Sequence, residues 1–319
     1  MHEFDLIKNY FQKLSKNSPS PLDLNDDVFF DKKKKLVVTV DTYIEGNHFT
    51  DFKKPELVIK KIIRASISDL ICKGVQPKYY FISGSGNRKS FSKSNLSKIS
   101  KSLNQEQNKY KIILSGGDTI FSNKISFTIT SIGFANKIIY RNNAKINDDI
   151  YVSGNLGDSF MGLLVLKHKI KLSNFLSKYF VNQYFLPNIQ SKLSKHITKF
   201  ANTSIDISDG LLADLDKMLN TQNLSYKIYL KDIPISRYLE KTLKLKKLKQ
   251  VNFISKGDDY QILFTASKSK HRIIRKISNT LGVKITKIGI IQNKSLKSTI
   301  IDQNNTAIIV KNKGYLHQF

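Results

Sequence analysis

The apolar positions of this chain change period repeatedly, and each change marks a predicted element. Phe4, Ile7, Phe11 and Leu14 fall at helical spacing, which predicts a short amphipathic helix over 3–16, ended by Pro19 and Pro21. Leu36–Val40 is a β-branched run, read as a strand that stops at Asp41. Leu57, Ile59, Ile62, Ile63, Ile67 and Leu70 predict a helix over 55–73, opened by Pro55 and stopped by Gly74. Strands are expected at 78–83, 111–114 and 125–134, with a polar amphipathic helix at 92–109. A break at 135–147 separates this half from a second with the same rhythm. Its strands are expected at 150–153, 204–207, 226–230, 261–266 and 283–291, and its helices at 154–167, 189–200, 210–219 and 268–281. Strands alternate with helices in both halves, so the predicted class is α/β (α+β) with two domains, 1–138 and 139–319.

Composition narrows the function classes. With 319 residues, 40% of them hydrophobic, the chain can bury a substantial core and is not a disordered basic tail. The formal net charge of +28 first suggests nucleic acid. However, only six of the 53 basic residues are arginine, the residue suited to bidentate phosphate and base contacts. The lysines are spread end to end in a chain also rich in Asn and Ile. They read as solvated surface that draws in anionic substrates, and no nucleic-acid partner is expected. The lone Cys72 excludes an internal disulfide and a cysteine zinc site, and is expected in the core. No apolar run reaches the ~20 residues of a membrane span, and the N-terminus has no signal pattern, so a cytoplasmic enzyme is expected.

The acids are few but recur beside Gly, Ser and Thr at the ends of apolar runs. They stand in Asn25-Asp26-Asp27, Thr39-Val40-Asp41-Thr42, Ser68-Asp69, Gly116-Gly117-Asp118-Thr119, Gly157-Asp158-Ser159, Asp206-Ile207-Ser208-Asp209-Gly210 and Gly257-Asp258-Asp259-Tyr260. At strand-to-loop junctions such carboxylates can converge on Mg²⁺, which takes oxygen ligands and keeps waters for phosphate oxygens. Gly116-Gly117 can form an amide nest for phosphate. Taken singly, each acid also suits a cap or turn, and the glycines a tight turn. Asp158 and Asp259 read as structural. Gly84–Ser90 lacks the spacing of a phosphate loop and reads as a mobile loop after a strand. The six histidines are too scattered for a zinc site, and His48 stands out only by its closeness to Asp41.

Set in order along the chain, these motifs resemble the thiamine-monophosphate kinase family. The matching residues are Asp41-Thr42-x-x-x-Gly46-x-His48-Phe49, Ser68-Asp69-Leu70 with Gly74 and Pro77, Gly116-Gly117-Asp118-Thr119, Arg141-x-x-Ala144, Gly154-x-x-Gly157-Asp158-Ser159, Asp206-Ile207-Ser208-Asp209-Gly210, Gly257-x-Asp259-Tyr260 and Gly314-Tyr315-Leu316-His317. The resemblance implies ATP- and Mg²⁺-dependent phosphorylation of thiamine monophosphate to thiamine diphosphate. It implies a fold like aminoimidazole-ribonucleotide synthetase: an N-terminal β-rich domain for metal, ATP and homodimerisation, and a C-terminal α/β domain completing the cleft. It also implies that Asp27, Thr39, Asp41, Asp69, Asp118, Asp206 and Asp209 hold metal. Gly116, Gly117, Arg141 and Ser208 would contact ATP, and His48, Asp258 and Tyr315 the acceptor. Asp41, Asp118, Arg141 and Asp209 would carry the transfer itself. Asn25, Val40, Ile120, Asp258 and Gln261 depart from the family's usual residues, but none removes a core carboxylate. The alternatives are an ATP-using relative with a different acceptor and a basic nucleic-acid-binding protein.

Overall fold

The computed structural model describes residues 3–310 and 312–315. Two mixed sheets carry the fold. The first has the order β1-β2-β5-β3-β4, from β1 (Phe29–Asp31), β2 (Leu36–Ile44), β3 (Pro77–Gly86), β4 (Ile113–Phe121) and β5 (Ser126–Phe134). Its β3–β4 pair is parallel and the others antiparallel. The second has the order β12-β11-β8-β10-β6-β9-β7, from β6 (Asp149–Ser153), β7 (Thr203–Asp206), β8 (Leu224–Tyr229), β9 (Ile262–Ala266), β10 (Ile285–Asn293), β11 (Thr299–Ile301) and β12 (Ala307–Ile308). The helices in chain order are α1 (Glu3–Leu6), α2 (Pro55–Cys72), α3 (Lys93–Tyr110), α4 (Asp158–Leu166), α5 (Asn174–Phe185), α6 (Ser191–Ile197), α7 (Leu211–Met218), α8 (Arg237–Lys246), α9 (Val251–Ile254) and α10 (His271–Leu281). Among the described residues no helix is long and apolar enough to cross a membrane.

Three expectations about local structure need correction. The N-terminal segment is not one helix: α1 gives way to a wider turn at Ile7–Phe11 and a tighter one at Gln12–Ser15. Tyr10, Phe11 and Leu14 remain exposed, so no packed face enforces a single helical period. Residues 84–86 are not loop but the end of β3, paired with Thr119–Phe121. The acids also do not all sit at junctions. Asp41 is inside β2, Asp69 inside α2 and Asp118 inside β4. Pairing with β5 and β3 extends β2 and β4 well past the residues whose side chains suggested a strand.

Helix α2 is the centre of the molecule. Val58, Ile59, Ile62, Ile63, Ile67, Leu70 and Ile71 are all essentially inaccessible. Each buried side chain of this kind stabilises by roughly 1.5–3 kcal/mol. The helix packs on β2 and β5 and also touches β7, α5 and α6, so apolar residues cover nearly its whole circumference. Its polar side chains are therefore forced inside and must each find a partner. Ser66 Oγ is 2.9 Å from Ser131 Oγ. Arg64 donates to both carboxylate oxygens of Glu106, at 2.8 and 2.9 Å, and to the Pro187 carbonyl at 3.2 Å. Glu106→Ala strands that guanidinium, and stability is expected to fall by about 3–5 kcal/mol. A urea midpoint unchanged from wild type would refute this; activity per folded molecule should be kept.

Candidate active site

The same helix brings the acids together. Thr39 and Asp41 enter from β2, Asp69 from α2, and Asp206 from the end of β7. Asp27 arrives on the segment before β1. One carboxylate oxygen from each of Asp27, Asp69 and Asp206 lies within 4.8 Å of the other two. Thr39 Oγ1 donates to Asp69 Oδ2 at 2.6 Å, and Ser68 Oγ donates to Asp206 Oδ2. The Tyr43 and Ser66 hydroxyls act on Asp41 in favour of its ionised form, against its burial. The cluster forms the floor of a cavity of about 710 Å³, whose lining also includes Asn47, His48, Arg141, Ser208, Asp209, Asp258 and Tyr315.

Electrostatics suit this floor to a cation. Burial pushes the Asp41 and Asp206 carboxyls up to about 7, with the Asp41 charge itself acting on Asp206. Burial, followed by the neighbouring Asp41 and Asp206 charges, lifts Asp69 well above the usual carboxylate range. Carboxyls that resist ionising together fit a divalent ion between them, and their all-oxygen donor set fits Mg²⁺. A pH dependence follows with definite sign. Without metal, the stability linked to Asp41 and Asp206 is full below about pH 4 and is lost as pH rises through about 7. Protons compete with metal below pH 7, so Mn²⁺ affinity should climb towards that pH and level off above it, with proton release greater at pH 6 than at 8.5. Calorimetry in two buffers of different ionisation enthalpy checks both signs.

Cations rim the cluster. Arg141 pairs with Asp27, through Nη2 and through Nε at 3.2 Å to Oδ2, and its backbone N–H donates to Asp26 Oδ2 at 2.9 Å. Lys217 pairs with Asp209 and, at 3.2 Å, with Asp214. Asp214 is buried and accepts the backbone N–H groups of Asp209 and Gly210, which fixes the 207–210 turn. Residues 256–260 press against that turn. A Cβ on Gly257 would lie 1.6 Å from the Ser208 carbonyl oxygen, so only glycine permits the approach. Asp258 and Tyr260 bond back to Ser208 and Ile207 through their N–H groups, both at 2.8 Å.

At the other end of the cavity, His48 Nδ1 accepts the Ile44 N–H at 3.0 Å, which places its ring proton on Nε2. The His48 carbonyl accepts the Tyr184 hydroxyl at 3.1 Å. The Tyr184 ring lies 3.4 Å below the buried Lys61 ammonium, which pairs with Asp258 at 2.8 Å. Tyr315 is held by its N–H on the Asp209 carbonyl at 3.0 Å. The motif's last two residues, Leu316 and His317, lie outside the described residues.

Asp118 is the site candidate that the single chain leaves apart, with Gly116 and Gly117 beside it. Asp118 pairs with Ser83, Ser83 with Thr128, and Thr128 with Thr42. Three strand spacings of ~4.8 Å put β4 about 14 Å from β2. Gly117 serves strand packing, since a Cβ there would lie 1.8 Å from the Ile82 carbonyl oxygen. Asp158 and Asp259 lie outside the cavity lining. Asp158 accepts from Tyr179 Oη and Ser236 Oγ, and Asp259 from the Gly157 N–H, as structural acids do. Sequence reasoning missed Lys61, Lys73 and Lys217. The signal for the first two was there: a helix apolar on nearly every side has no solvated face for its charges.

The fold, with this acid-floored cavity, defines a protein of the AIR synthase-like class. Residues 25–135 match the N-terminal domain of AIR synthase related proteins. A thiamine-monophosphate kinase of Buchnera aphidicola (subspecies Acyrthosiphon pisum) is 33% identical over 99% of this chain and 98% of its own. A solved structure described as AaThiL complexed with AMPPCP and TMP superposes with a TM-score of 0.85 at 26% identity, over 99% of this chain and 97% of that one. The thiamine monophosphate kinase of Aquifex aeolicus superposes with a TM-score of 0.79, also at 26% identity, over 97% and 99%. The chain belongs to the thiamine-monophosphate kinase family.

Proposed function

We propose that this protein transfers the γ-phosphoryl group of ATP to thiamine monophosphate, giving thiamine diphosphate and ADP. The observation that carries this reading is the cavity whose floor joins Asp27, Asp69 and Asp206 from both halves of the chain. Its support is family membership and the neighbour bound to an ATP analogue and TMP. Incubation with ATP, Mg²⁺ and thiamine monophosphate should yield thiamine diphosphate. Turnover of another phosphorylated acceptor, with none of thiamine monophosphate, would reject it.

In this reading Asp27, Thr39, Asp41, Asp69, Asp206 and Asp209 hold Mg²⁺, which when bound screens the charge between the two phosphate groups. The acceptor is a phosphate oxygen already ionised near neutral pH, so no general base is needed. The chain's task is to bring two anions into line. Arg141 and Ser208 stand where they can hold ATP. His48, with its Nε2 proton, together with Asp258 and Tyr315, stands at the acceptor end. The ATP requirement and the lone free cysteine support a cytoplasmic location.

A homodimer completes the site. The face of the first sheet away from α2 is uncovered and exposes Val40 and Phe81. All nine residues of edge strand β4 are exposed, including Ile113, Leu114, Ile120 and Phe121. On the other edge, β1 covers β2 only over Leu36–Val38, so residues 39–44 have no strand partner on that side among the described residues. Such apolar, unpaired edges are expected to be covered. A two-fold dimer that sets β4 of each copy against residues 39–44 of β2 in the other closes a barrel of β2, β5, β3 and β4 from each copy, eight strands in all. Gly116, Gly117 and Asp118 then reach the metal and ATP of the partner copy's site.

A further inference from the structure

We propose that Lys73 is a built-in cation of the carboxylate cluster, whose ammonium group takes a place that a divalent ion would otherwise fill. The inference rests on the reading of the cluster as a metal site.

Lys73 caps the C-terminus of α2 and its side chain is completely inaccessible. Its Nζ lies 2.7 Å from Asp26 Oδ1, 2.8 Å from Asp27 Oδ2 and 2.8 Å from the Ser204 carbonyl oxygen. Three oxygens around one buried positive charge match the three donors of an ammonium group. They are also the hard oxygen set that a divalent ion would use. Lys73 is not a surface lysine folded inwards for want of a metal, because its backbone is fixed: its carbonyl accepts the Ile139 N–H at 3.1 Å.

The two acids it joins have different fates. Asp26 accepts from Lys73 and the Asp27 N–H on Oδ1 and from the Arg141 N–H on Oδ2, so its oxygens are engaged by fixed donors. It is the counter-ion of Lys73, not a further metal ligand. Asp27 is shared. It touches Lys73 and Arg141 and still lies within ligand distance of Asp69 and Asp206. Its charge is already partly balanced by the protein, so it adds less to metal binding than an unshared aspartate would. Lys73 thus limits the number of ions, or their affinity, at the Asp27 end of the cluster.

The test counts Mn²⁺ bound per full-length chain by equilibrium dialysis, with a non-hydrolysable ATP analogue, for wild type, Lys73→Met and Lys73→Arg. Lys73→Met should bind one additional ion, or bind its weakest ion at least ~tenfold more tightly, as an uncompensated buried acid pair demands. Lys73→Arg should behave as wild type. Lys73→Met should also melt lower in chelator and regain more of its melting temperature with Mn²⁺ than wild type does. If Lys73→Met does not fold, Asp26→Asn with Lys73→Met removes one charge of each sign, and its ion count should equal that of wild type. Unchanged count and affinity in Lys73→Met, with only a lower melting temperature, make Lys73 a structural anchor and overturn the proposal. So does a double variant whose count differs from wild type. A wild type that binds no Mn²⁺ removes the metal reading as well.

Discussion

Asp69→Asn should abolish phosphoryl transfer while leaving the metal-free protein as stable as wild type, or more stable. Asp69 meets Asp27 and Asp206 within 4.8 Å and, among the described residues, has a neutral hydroxyl, Thr39, as its hydrogen-bonded side-chain partner. Burial and the Asp41 and Asp206 charges already disfavour its ionised form. An amide keeps the shape and the hydrogen bond and removes the repulsion, so folding gains where the charge was a cost. In the proposed mechanism, activity loses a charged ligand of the Mg²⁺ that would screen two phosphate groups. Removing one preorganised electrostatic group typically costs about 10²–10³-fold in rate, and at least that is expected here. Activity at saturating Mg²⁺ and melting temperature in chelator are the two measurements. A variant that keeps activity, or one that loses activity only because it unfolds, contradicts the assignment.

Phe121→Asp should convert the proposed dimer to a monomer and remove most activity with it. Phe121 ends edge strand β4 and is 73% exposed in the single chain. A charge there costs little in the monomer but cannot be buried in a closed barrel. Sedimentation gives the oligomeric state. A sharper experiment mixes two inactive proteins, Asp69→Asn and Asp118→Asn, after dissociating and reassociating the chains. If Asp118 serves the partner's site, each mixed dimer holds one intact site, and random pairing restores about a quarter of wild-type activity. If Asp118 serves its own chain, the mixture stays inactive.

Much of this site was legible in the sequence. Asp27, Asp41, Asp69, Asp206 and Asp209 were singled out because scarce acids beside Gly, Ser and Thr stood apart from the lysine background, and all five line one cavity. The α/β class followed from periodicity. The ends of β2 and β4 did not, because strand length is set by the pairing partner and not by the run of apolar residues. For the same reason Gly116-Gly117-Asp118 was expected at a loop and lies within a strand.

The sequence alone determined the alternation of strands and helices, the family resemblance and which carboxylates to watch, because these follow from local pattern and the order of motifs. The tertiary structure alone decided which charges meet. Strand order carries Asp118 to the far edge of the sheet, although its motif is as strong as that of Asp41. Full burial of α2 turns Lys61, Arg64 and Lys73, ordinary residues in a lysine-rich chain, into partners of Asp258, Glu106 and the Asp26–Asp27 pair. A buried charge takes its identity from the group that neutralises it. That group lies 42 or more positions away in every one of these pairs, a distance set by packing and not by local pattern.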